Sequence, residues 1–210
     1  MNGQPCCHIV CAGTAGELSL KRESDDFVIA ADGGYLLCRN AHIEPDLYIG
    51  DADSLPAELL SEISCPRVDL PVEKDDTDTL AAVKEGLARG FSRFELYAAL
   101  GGDLGHTLAN IQTLLYLRKA GAHGVLHGAG QDLYLVLPED GSCTVPTSPG
   151  CRVSVFSWTP EAIGVCEKGL KWELEDAELS GSFPLGVSNE ALGDEAHISV
   201  AKGVLAAVVG

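Results

Sequence analysis

Short apolar runs alternate with amphipathic segments over the first two thirds of the chain. The apolar runs predict strands at His8–Ala12, Phe27–Ala31, Leu47–Gly50, Arg67–Leu70, Phe94–Leu100, Val125–His127 and Leu133–Leu137. Segments with helical spacing of apolar residues predict helices at Tyr35–Ala41, Pro56–Ile63, Thr79–Arg89 and Thr107–Ala120. Because strands that are apolar throughout are separated by helices, the pattern predicts a largely parallel sheet with helices on both faces.

The pattern changes after Pro138, where the helical spacing ends. The segment Glu139–Ser142 is rich in turn residues, and short alternating runs follow it. These runs are Arg152–Trp158, Gly169–Leu174, His197–Val200 and Val204–Val209. They are typical of a small antiparallel β domain. The sequence therefore predicts an α/β domain over residues 1–140 and a smaller all-β domain over residues 141–210.

Composition narrows the classes of function. The 210 residues carry 14 Lys and Arg against 31 Asp and Glu, a net charge of −17, which counts against nucleic acid as a partner. No run approaches the roughly 18 apolar residues of a membrane helix, and Met1–Val10 lacks the pattern of a secretory leader. The eight cysteines form no Cys-x-x-Cys pair, so reduced thiols in a cytoplasmic protein are expected.

Four clusters of glycine and acidic residues follow predicted strands. They are Ala31-Asp32-Gly33-Gly34, Gly50-Asp51-Ala52-Asp53-Ser54, Lys74-Asp75-Asp76-Thr77-Asp78 and Gly101-Gly102-Asp103-Leu104-Gly105-His106. Because the carboxyl ends of parallel strands share one edge, the clusters are expected to line one crevice. Neighbouring aspartates attract a hard cation such as Mg²⁺, and glycine turns at helix starts approach phosphates closely. The crevice therefore predicts a site for a nucleoside triphosphate, without a P-loop motif.

Each cluster also has a purely structural interpretation. Asp53 or Ser54 suits the cap of the helix that begins near Pro56. Thr77 and its acidic neighbours suit a helix N-terminus, and His106 suits a half-buried ring at a helix start. Capping accounts for one carboxylate of the second cluster but not for both Asp51 and Asp53, which favours a metal site there.

In this order the clusters resemble the motifs of the thiamine pyrophosphokinase family, whose members transfer a pyrophosphoryl group from ATP to thiamine. The resemblance extends along nearly the whole chain, through Ile43–Ser54, the Gly101-Gly102 loop with His106, Leu108 and Asn110, Gly169–Leu174 and Gly186–Glu190. It implies a Rossmann-like ATP-binding catalytic domain followed by a β-sandwich thiamine-binding domain. It also implies a homodimer, with thiamine between the first domain of one subunit and the second domain of its partner.

The resemblance further implies roles for individual residues. Mg²⁺ would be held on the ATP phosphates by Asp51, Asp53 and Asp78, and Asp51 or Asp78 would accept the hydroxyl proton of thiamine. The nucleotide site would be lined by Asp32, Gly33, Gly34, Ser54, Lys74, Asp75, Thr77, Gly101, Gly102 and His106. Thiamine would lie near Trp172, Ser188 and Asn189, since an aromatic face suits its cationic ring. Alternatively, Trp172 is a core residue and Ser188-Asn189 a plain turn.

The fourth cluster departs from the family pattern Gly-Gly-Arg-x-Asp-His. Asp103 stands in place of the Arg and Gly105 in place of the Asp, which reverses a charge beside the phosphates. Three explanations are open. Arg39, Arg93 or Arg118 substitutes for the missing Arg, an Arg–Asp pair was replaced as a unit, or the enzyme is slow or uses another donor.

Other functions fit parts of the sequence. The departure motivates a non-catalytic thiamine- or nucleotide-binding homologue. A pyrophosphokinase for another ring alcohol, such as a hydroxymethylpterin, would use the same crevice. Asp51-x-Asp53 also imitates the nucleophile pair of haloacid-dehalogenase phosphatases, but Ser54 and Leu55 do not fit that pattern.

Overall fold

A computed structural model of the protein describes residues 4–14, 18–51, 53–73, 75–128 and 130–210. The chain divides into two units, one ending at Gly130 and the other beginning at Gln131. The division precedes the predicted boundary near residue 140 because the strand Gln131–Val136 pairs with the strand Leu205–Val209 of the second unit.

The first unit is built on a parallel sheet. Its strands are β1 (Cys6–Val10), β2 (Phe27–Ala31), β3 (Leu47–Gly50), β4 (Arg67–Asp69), β5 (Arg93–Tyr97) and β6 (His123–Gly128). They lie in the order β6-β5-β1-β2-β3-β4, and each neighbouring pair is parallel. The strands β2, β3 and β4 lie on one side of β1, whereas β5 and β6 lie on its other side. The strand order therefore reverses between β1 and β5. In parallel sheets, ligands bind beyond the carboxyl ends of strands at such a reversal.

Helices pack on both faces of this sheet, as the sequence predicts. They are α1 (Gly34–Asn40), α2 (Ala57–Glu62), α3 (Asp78–Ala88) and α4 (Leu104–Lys119). Tyr35 and Cys38 of α1 share a buried cluster with Val10 of β1, whereas Gly86 of α3 lies beside Cys7 of the same strand. Side chains three residues apart on a strand point to opposite faces, so α1 and α3 cover different sides.

The second unit is antiparallel throughout its described strand pairs. Its strands are β7 (Gln131–Val136), β8 (Ser142–Pro146), β9 (Arg152–Ser157), β10 (Glu161–Lys168), β11 (Leu174–Ser180), β12 (Asn189–Glu190), β13 (Glu195–Ser199) and β14 (Leu205–Val209). One sheet has the order β11-β10-β13-β8, and β12, β9, β14 and β7 are neighbours in another. Both contribute to one buried core, for example Val165 and Ile198 from the first and Val155 and Leu205 from the second.

The predicted strand at Gly169–Leu174 is wrong over most of its length. Gly169 has a positive φ of 80°, which interrupts an extended strand. Leu170 makes a single bridge to Ala191, and β11 begins only at Leu174. The segment between is therefore a loop that carries Trp172.

The cysteines are thiols, as predicted. All eight are free of disulfide bonds, and Cys6, Cys7, Cys11 and Cys38 are buried in the first unit. Among the described residues, no helix is long and apolar enough to span a membrane.

Close packing of α3 on the sheet depends on Gly86. An alanine inside a helix ordinarily stabilises it by about 1 kcal/mol relative to glycine, but here a Cβ atom would lie 2.6 Å from Phe94 Cε1 and 2.9 Å from Cys7 Sγ. We expect Gly86→Ala to lower the free energy of unfolding by about 1–3 kcal/mol in urea denaturation, because these buried neighbours must move. An increase in stability would contradict this account of the helix–sheet contact.

Candidate active site

A cleft of about 520 Å³ opens at the carboxyl edge of the parallel sheet. It is lined by the loops that follow β1, β2, β3 and β5 and by the first residues of α3 and α4. Of the residues predicted for the site, it brings together Asp32, Asp51, Asp53, Ser54, Thr77, Asp78, Gly101, Gly102 and His106. The cleft therefore contains residues from each of the four glycine- and acid-rich clusters that the sequence places at one crevice.

Three of the remaining predicted residues lie outside the cleft. Gly34 is a packing residue, since a Cβ atom there would lie 1.9 Å from the Val10 carbonyl oxygen. Neither it nor Gly33 lines the cleft, and Asp75 is an exposed residue outside it. Lys74 lies outside the described residues.

Three carboxylates form a compact group in the cleft. Asp32, Asp51 and Asp53 each offer an oxygen, and these oxygens lie within 4.8 Å of one another. The Asp53 amide donates to Asp51 Oδ1 at 3.3 Å, and the Ser54 hydroxyl donates to Asp53 Oδ1 at 3.1 Å. A set of carboxylate oxygens at this spacing fits a hard divalent cation such as Mg²⁺. Asp78 lines the same cleft but does not belong to this group, in which Asp32 is the third carboxylate.

Asp32 is held in place by its backbone and by a buried tyrosine. Its φ of 45° is left-handed, and its amide donates to the Ile49 carbonyl at 2.8 Å. Tyr48 is fully buried and donates its hydroxyl to Asp32 Oδ1 at 3.3 Å. Burial, followed by the charge of Asp32, raises the pKa of Tyr48, so the phenol remains a donor. Gly50 leaves space for this contact, because a Cβ atom there would lie 3.0 Å from atoms of both Asp32 and Tyr48.

The loop between β5 and α4 explains the departure from the family pattern. Asp103 is the N-cap of α4, and its Oδ1 accepts from the His106 amide at 2.9 Å. A Cβ atom on Gly105 would lie 2.9 Å from that same oxygen. The two positions are therefore structurally linked, because Gly105 leaves room for the Asp103 cap. Favourable interaction with the helix N-terminus offsets part of the carboxylate charge.

Sequence reasoning missed the loop after β1. Gly13 and Thr14 line the cleft, and the Gly13 amide donates to the Ala98 carbonyl at 3.0 Å. A Cβ atom on Gly13 would lie 2.3 Å from that oxygen, so only glycine fits. The signal in the sequence was the pair Gly13-Thr14, which directly follows an apolar run. The predicted strand His8–Ala12 ends just before this pair.

Asn110 of α4 supports the loop that follows β5 and lines the cleft. Its side chain is buried and donates to the Ala99 carbonyl at 2.8 Å. This bond fixes the backbone from which Gly101 and Gly102 turn, both with positive φ (81° and 74°). Cys11 also lines the cleft, but burial raises its pKa to about 11 despite the Thr79 hydroxyl beside it, so it is an unreactive thiol.

In the second unit, Asn189 and Trp172 are in contact. Trp172 is 58% exposed, so it is a surface residue and not part of the core. Asn189 is buried, and its Oδ1 accepts from the Trp172 amide at 3.1 Å while its Nδ2 donates to the Trp172 carbonyl at 2.8 Å. Ser188 has a left-handed φ of 62°, and its amide donates to Ser154 Oγ at 3.0 Å.

Two family models match this chain. The catalytic domain of thiamin pyrophosphokinase matches residues 19–126, and the vitamin B1 binding domain of thiamin pyrophosphokinase matches residues 142–205. The chain belongs to the thiamin pyrophosphokinase family. The enzyme class predicted from the motifs, a thiamine diphosphokinase, is confirmed by these matches.

Solved structures of thiamin pyrophosphokinases have the same fold over the whole chain. The Bacillus subtilis protein has a TM-score of 0.87 at 21% identity, with 98% of each chain covered. The Geobacillus thermodenitrificans protein has a TM-score of 0.84 at 26% identity, covering 98% of this chain and 97% of its own. A thiamin pyrophosphokinase family protein from Enterococcus faecalis has a TM-score of 0.83 at 24% identity and 99% coverage of both chains. A comparison with curated protein sequences gave no match.

The three Arg residues that could replace the missing family Arg are engaged elsewhere in the chain. Arg39 pairs with Glu62 at 2.8 Å and Arg93 with Glu95 at 3.1 Å, while Arg118 contacts His123. Among the described residues that line the cleft, none is Arg or Lys.

Glu167 is an ionisable group of the second unit that sequence reasoning passed over. It is only 1% exposed, and burial raises its pKa from 4.5 to about 7, although the hydrogen bond from Asn189 opposes the shift. The folded protein therefore binds this proton more tightly than the unfolded chain does. The resulting stabilisation is present below about pH 4.5 and is lost as the pH rises through about 7.

A variant at Glu167 tests this dependence. Glu167→Gln does not titrate, so its Tm should rise relative to the parent by several degrees between about pH 5 and pH 8. Thermal unfolding of both proteins across this range, followed by circular dichroism, measures the difference. A Tm difference that stays constant with pH would show that Glu167 has an ordinary pKa.

Proposed function

We propose that this protein transfers a pyrophosphoryl group from ATP to the hydroxyl of thiamine in a Mg²⁺-dependent reaction that yields thiamine diphosphate and AMP. The observation that carries the proposal is the group formed by Asp32, Asp51 and Asp53 beside the glycine loop of α4. Membership of the family supplies the substrates, and the cleft offers carboxylates and backbone amides where triphosphate recognition needs them.

The parallel sheet serves as a Rossmann-like nucleotide site. The loop Gly101-Gly102 and the first turn of α4 line the cleft, and phosphate oxygens would bind to backbone amides at this helix start. Thr77 caps α3, with its Oγ1 accepting from the Leu80 amide at 3.1 Å, so its hydroxyl hydrogen can be donated to a phosphate. His106 and Ser54 supply further polar groups at the rim.

Asp32, Asp51 and Asp53 would hold the cation, and Asp78 lines the same cleft. When bound, Mg²⁺ neutralises phosphate charge and orients the β-phosphate for attack. Tyr48 contributes by holding one oxygen of Asp32, which leaves the other oxygen for the cation. The chain therefore supplies carboxylates in a fixed arrangement, with little reorganisation during the reaction.

The reaction is an in-line displacement at the β-phosphorus. A bond forms between the thiamine hydroxyl oxygen and the β-phosphorus, and the bond from this phosphorus to the bridging oxygen of AMP breaks. The hydroxyl proton passes to a carboxylate of the cleft, either Asp51 or Asp78, and AMP leaves. Positioning by the loops of the cleft is the main contribution of the protein.

Thiamine would bind at Trp172 and the Ser188-Asn189 turn. The indole is exposed, and the cationic thiazolium ring favours an aromatic face. As in the family pattern, we propose a homodimer in which this surface completes the nucleotide domain of the partner. We place the enzyme in the cytoplasm, since it has reduced cysteines and substrates of intracellular metabolism.

A non-catalytic thiamine- or nucleotide-binding homologue is the second candidate. Asp103 at the cleft and the lack of Arg or Lys among its described lining residues favour it. AMP formation by the purified protein with ATP, Mg²⁺ and thiamine, each omitted in turn, decides between the two. AMP that appears only with all three establishes the pyrophosphokinase. Thiamine binding by calorimetry without AMP formation favours the homologue, and turnover with a hydroxymethylpterin alone would identify another substrate.

Asp53 tests the carboxylate group. Because it is an exposed member of the group, Asp53→Asn should lower kcat/KM by about a hundredfold or more, with Tm changed by less than about 2 °C. Asp25→Asn is the matched control, because Asp25 is an exposed carboxylate that precedes β2 and does not line the cleft. Unfolding of Asp53→Asn, or unchanged activity, would contradict the metal role.

Trp172 tests the thiamine surface. Trp172→Ala should raise the KM for thiamine about tenfold through loss of the aromatic face, while the KM for ATP changes less than about twofold. Trp172→Phe keeps a smaller face and should lose less. Equal losses for both substrates would remove Trp172 from the thiamine site.

Asp103 tests the cost of the charge reversal. Asp103→Asn keeps the helix cap and removes one negative charge beside the phosphates, so the KM for ATP should fall about threefold or more. Asp103→Ala also removes the charge but loses the cap, and should unfold about 1 kcal/mol more easily. An unchanged KM in Asp103→Asn would mean that the cap already compensates the charge.

A further inference from the structure

Glu167 and Asn189 form a buried polar pair next to the backbone of Trp172, the residue proposed to contact thiamine. Glu167 Oε2 accepts from Asn189 Nδ2 at 3.3 Å, and its Oε1 is buried without a hydrogen-bond partner among the described residues. Both side chains are buried, at 1% and 8% exposure. A buried carboxylate with one hydrogen bond costs free energy, so its place here calls for a function beyond packing.

The Asn189 amide has no hydrogen-bonding capacity left for a ligand. Its Oδ1 accepts from the amides of Trp172 (3.1 Å) and Glu190 (2.9 Å). Its Nδ2 donates to the Trp172 carbonyl (2.8 Å) and to Glu167. An amide group makes two donor and two acceptor bonds, and all four are used inside the chain. Asn189 therefore acts on a substrate only through the residues that it holds.

Those bonds fix the backbone of Trp172 on both sides. The Lys171 amide donates to the Glu190 carbonyl at 2.9 Å, and Leu170 is fully buried in the core. Trp172 follows these anchors, and Asn189 pairs with its amide and its carbonyl as a neighbouring strand would. The exposed indole thus stands on a rigid backbone.

Glu167 is the fourth partner that holds the Asn189 amide in its observed orientation, together with the backbone groups of Trp172 and Glu190. A carboxylate only accepts hydrogen bonds, so it requires the NH₂ group of Asn189 on its side. The oxygen of Asn189 must then face the amide of Trp172, which is the arrangement observed. With the amide reversed, oxygen would face carboxylate and NH₂ would face N–H.

We propose that Glu167 is a positioning residue for thiamine binding, which stabilises the observed orientation of Asn189 and through it the backbone of Trp172. The proposal rests on the proposed function of Trp172 as the thiamine contact. It assigns Asn189 to the support of the site and not to direct contact with the substrate.

Two unbranched replacements of similar length distinguish the loss of the hydrogen-bond acceptor from a change in side-chain shape. Glu167→Gln keeps a carbonyl oxygen for Asn189, whereas Glu167→Met fills the same space without one. Assays at about pH 8 keep the parent carboxylate ionised. Glu167→Met should raise the KM for thiamine about five- to tenfold with kcat and the KM for ATP within about twofold, and Glu167→Gln should stay near the parent.

A second readout is independent of catalysis. Trp158 and Trp172 are the two tryptophans of the chain, so Trp158→Phe leaves fluorescence that reports on Trp172 alone. In this background, Glu167→Met should increase iodide quenching and lower the anisotropy, and Glu167→Gln should not. If the parent forms no AMP, the proposed function fails while this comparison still decides the positioning role.

Several results would overturn the proposal. Parental fluorescence and parental KM for thiamine in Glu167→Met would show that Trp172 does not depend on Glu167. Equal increases in the KM for ATP and thiamine would indicate a general loss of structure. If Glu167→Met does not fold, Glu167→Leu carries the same comparison, since it also lacks the acceptor and fills most of the space.

Discussion

Three carboxylates lie within 4.8 Å of one another at the carboxyl edge of the parallel sheet, and the like charges repel at that distance unless a cation or a donor compensates them. The first unit is arranged around this repulsion. The amide of Asp32 is fixed to β3 through Ile49, its side chain is fixed by Tyr48, and Gly50 allows both contacts. The charge is thereby concentrated at one place, beside helix starts that favour anions.

Much of the first unit could be predicted because its signals are local. Apolar runs and helical spacing indicate the parallel sheet, and Asp51-x-Asp53 indicates a cation site from two neighbouring residues. The membership of Asp32 could not be predicted in the same way. It depends on the register of β2 on β3, where Ala31 lies opposite Ile49, and register between strands distant in sequence leaves no local mark.

The second unit shows the same limit more strongly. An alternating run predicted a strand at Gly169–Leu174, but the φ of Gly169 and the pairing of Leu170 with Ala191 make it a loop. Glu167 gave no signal because a single glutamate in an alternating run is typical of an exposed face. Only the fold shows that it is buried beside Asn189, where burial raises its pKa to about 7.

The side chains that line the cleft also bear on the order of events in turnover. Among the described lining residues, the acidic side chains are all aspartates, and His106 is the one basic side chain. Under the proposed function, these carboxylates would repel a nucleotide that carries no cation more strongly than its complex with Mg²⁺, so we expect the complex to be the form that binds. After pyrophosphoryl transfer, AMP keeps a single phosphate and would have fewer oxygens with which to share a cation with Asp32, Asp51 and Asp53. The same negative field would then favour the release of AMP, which would link product release to the transfer step.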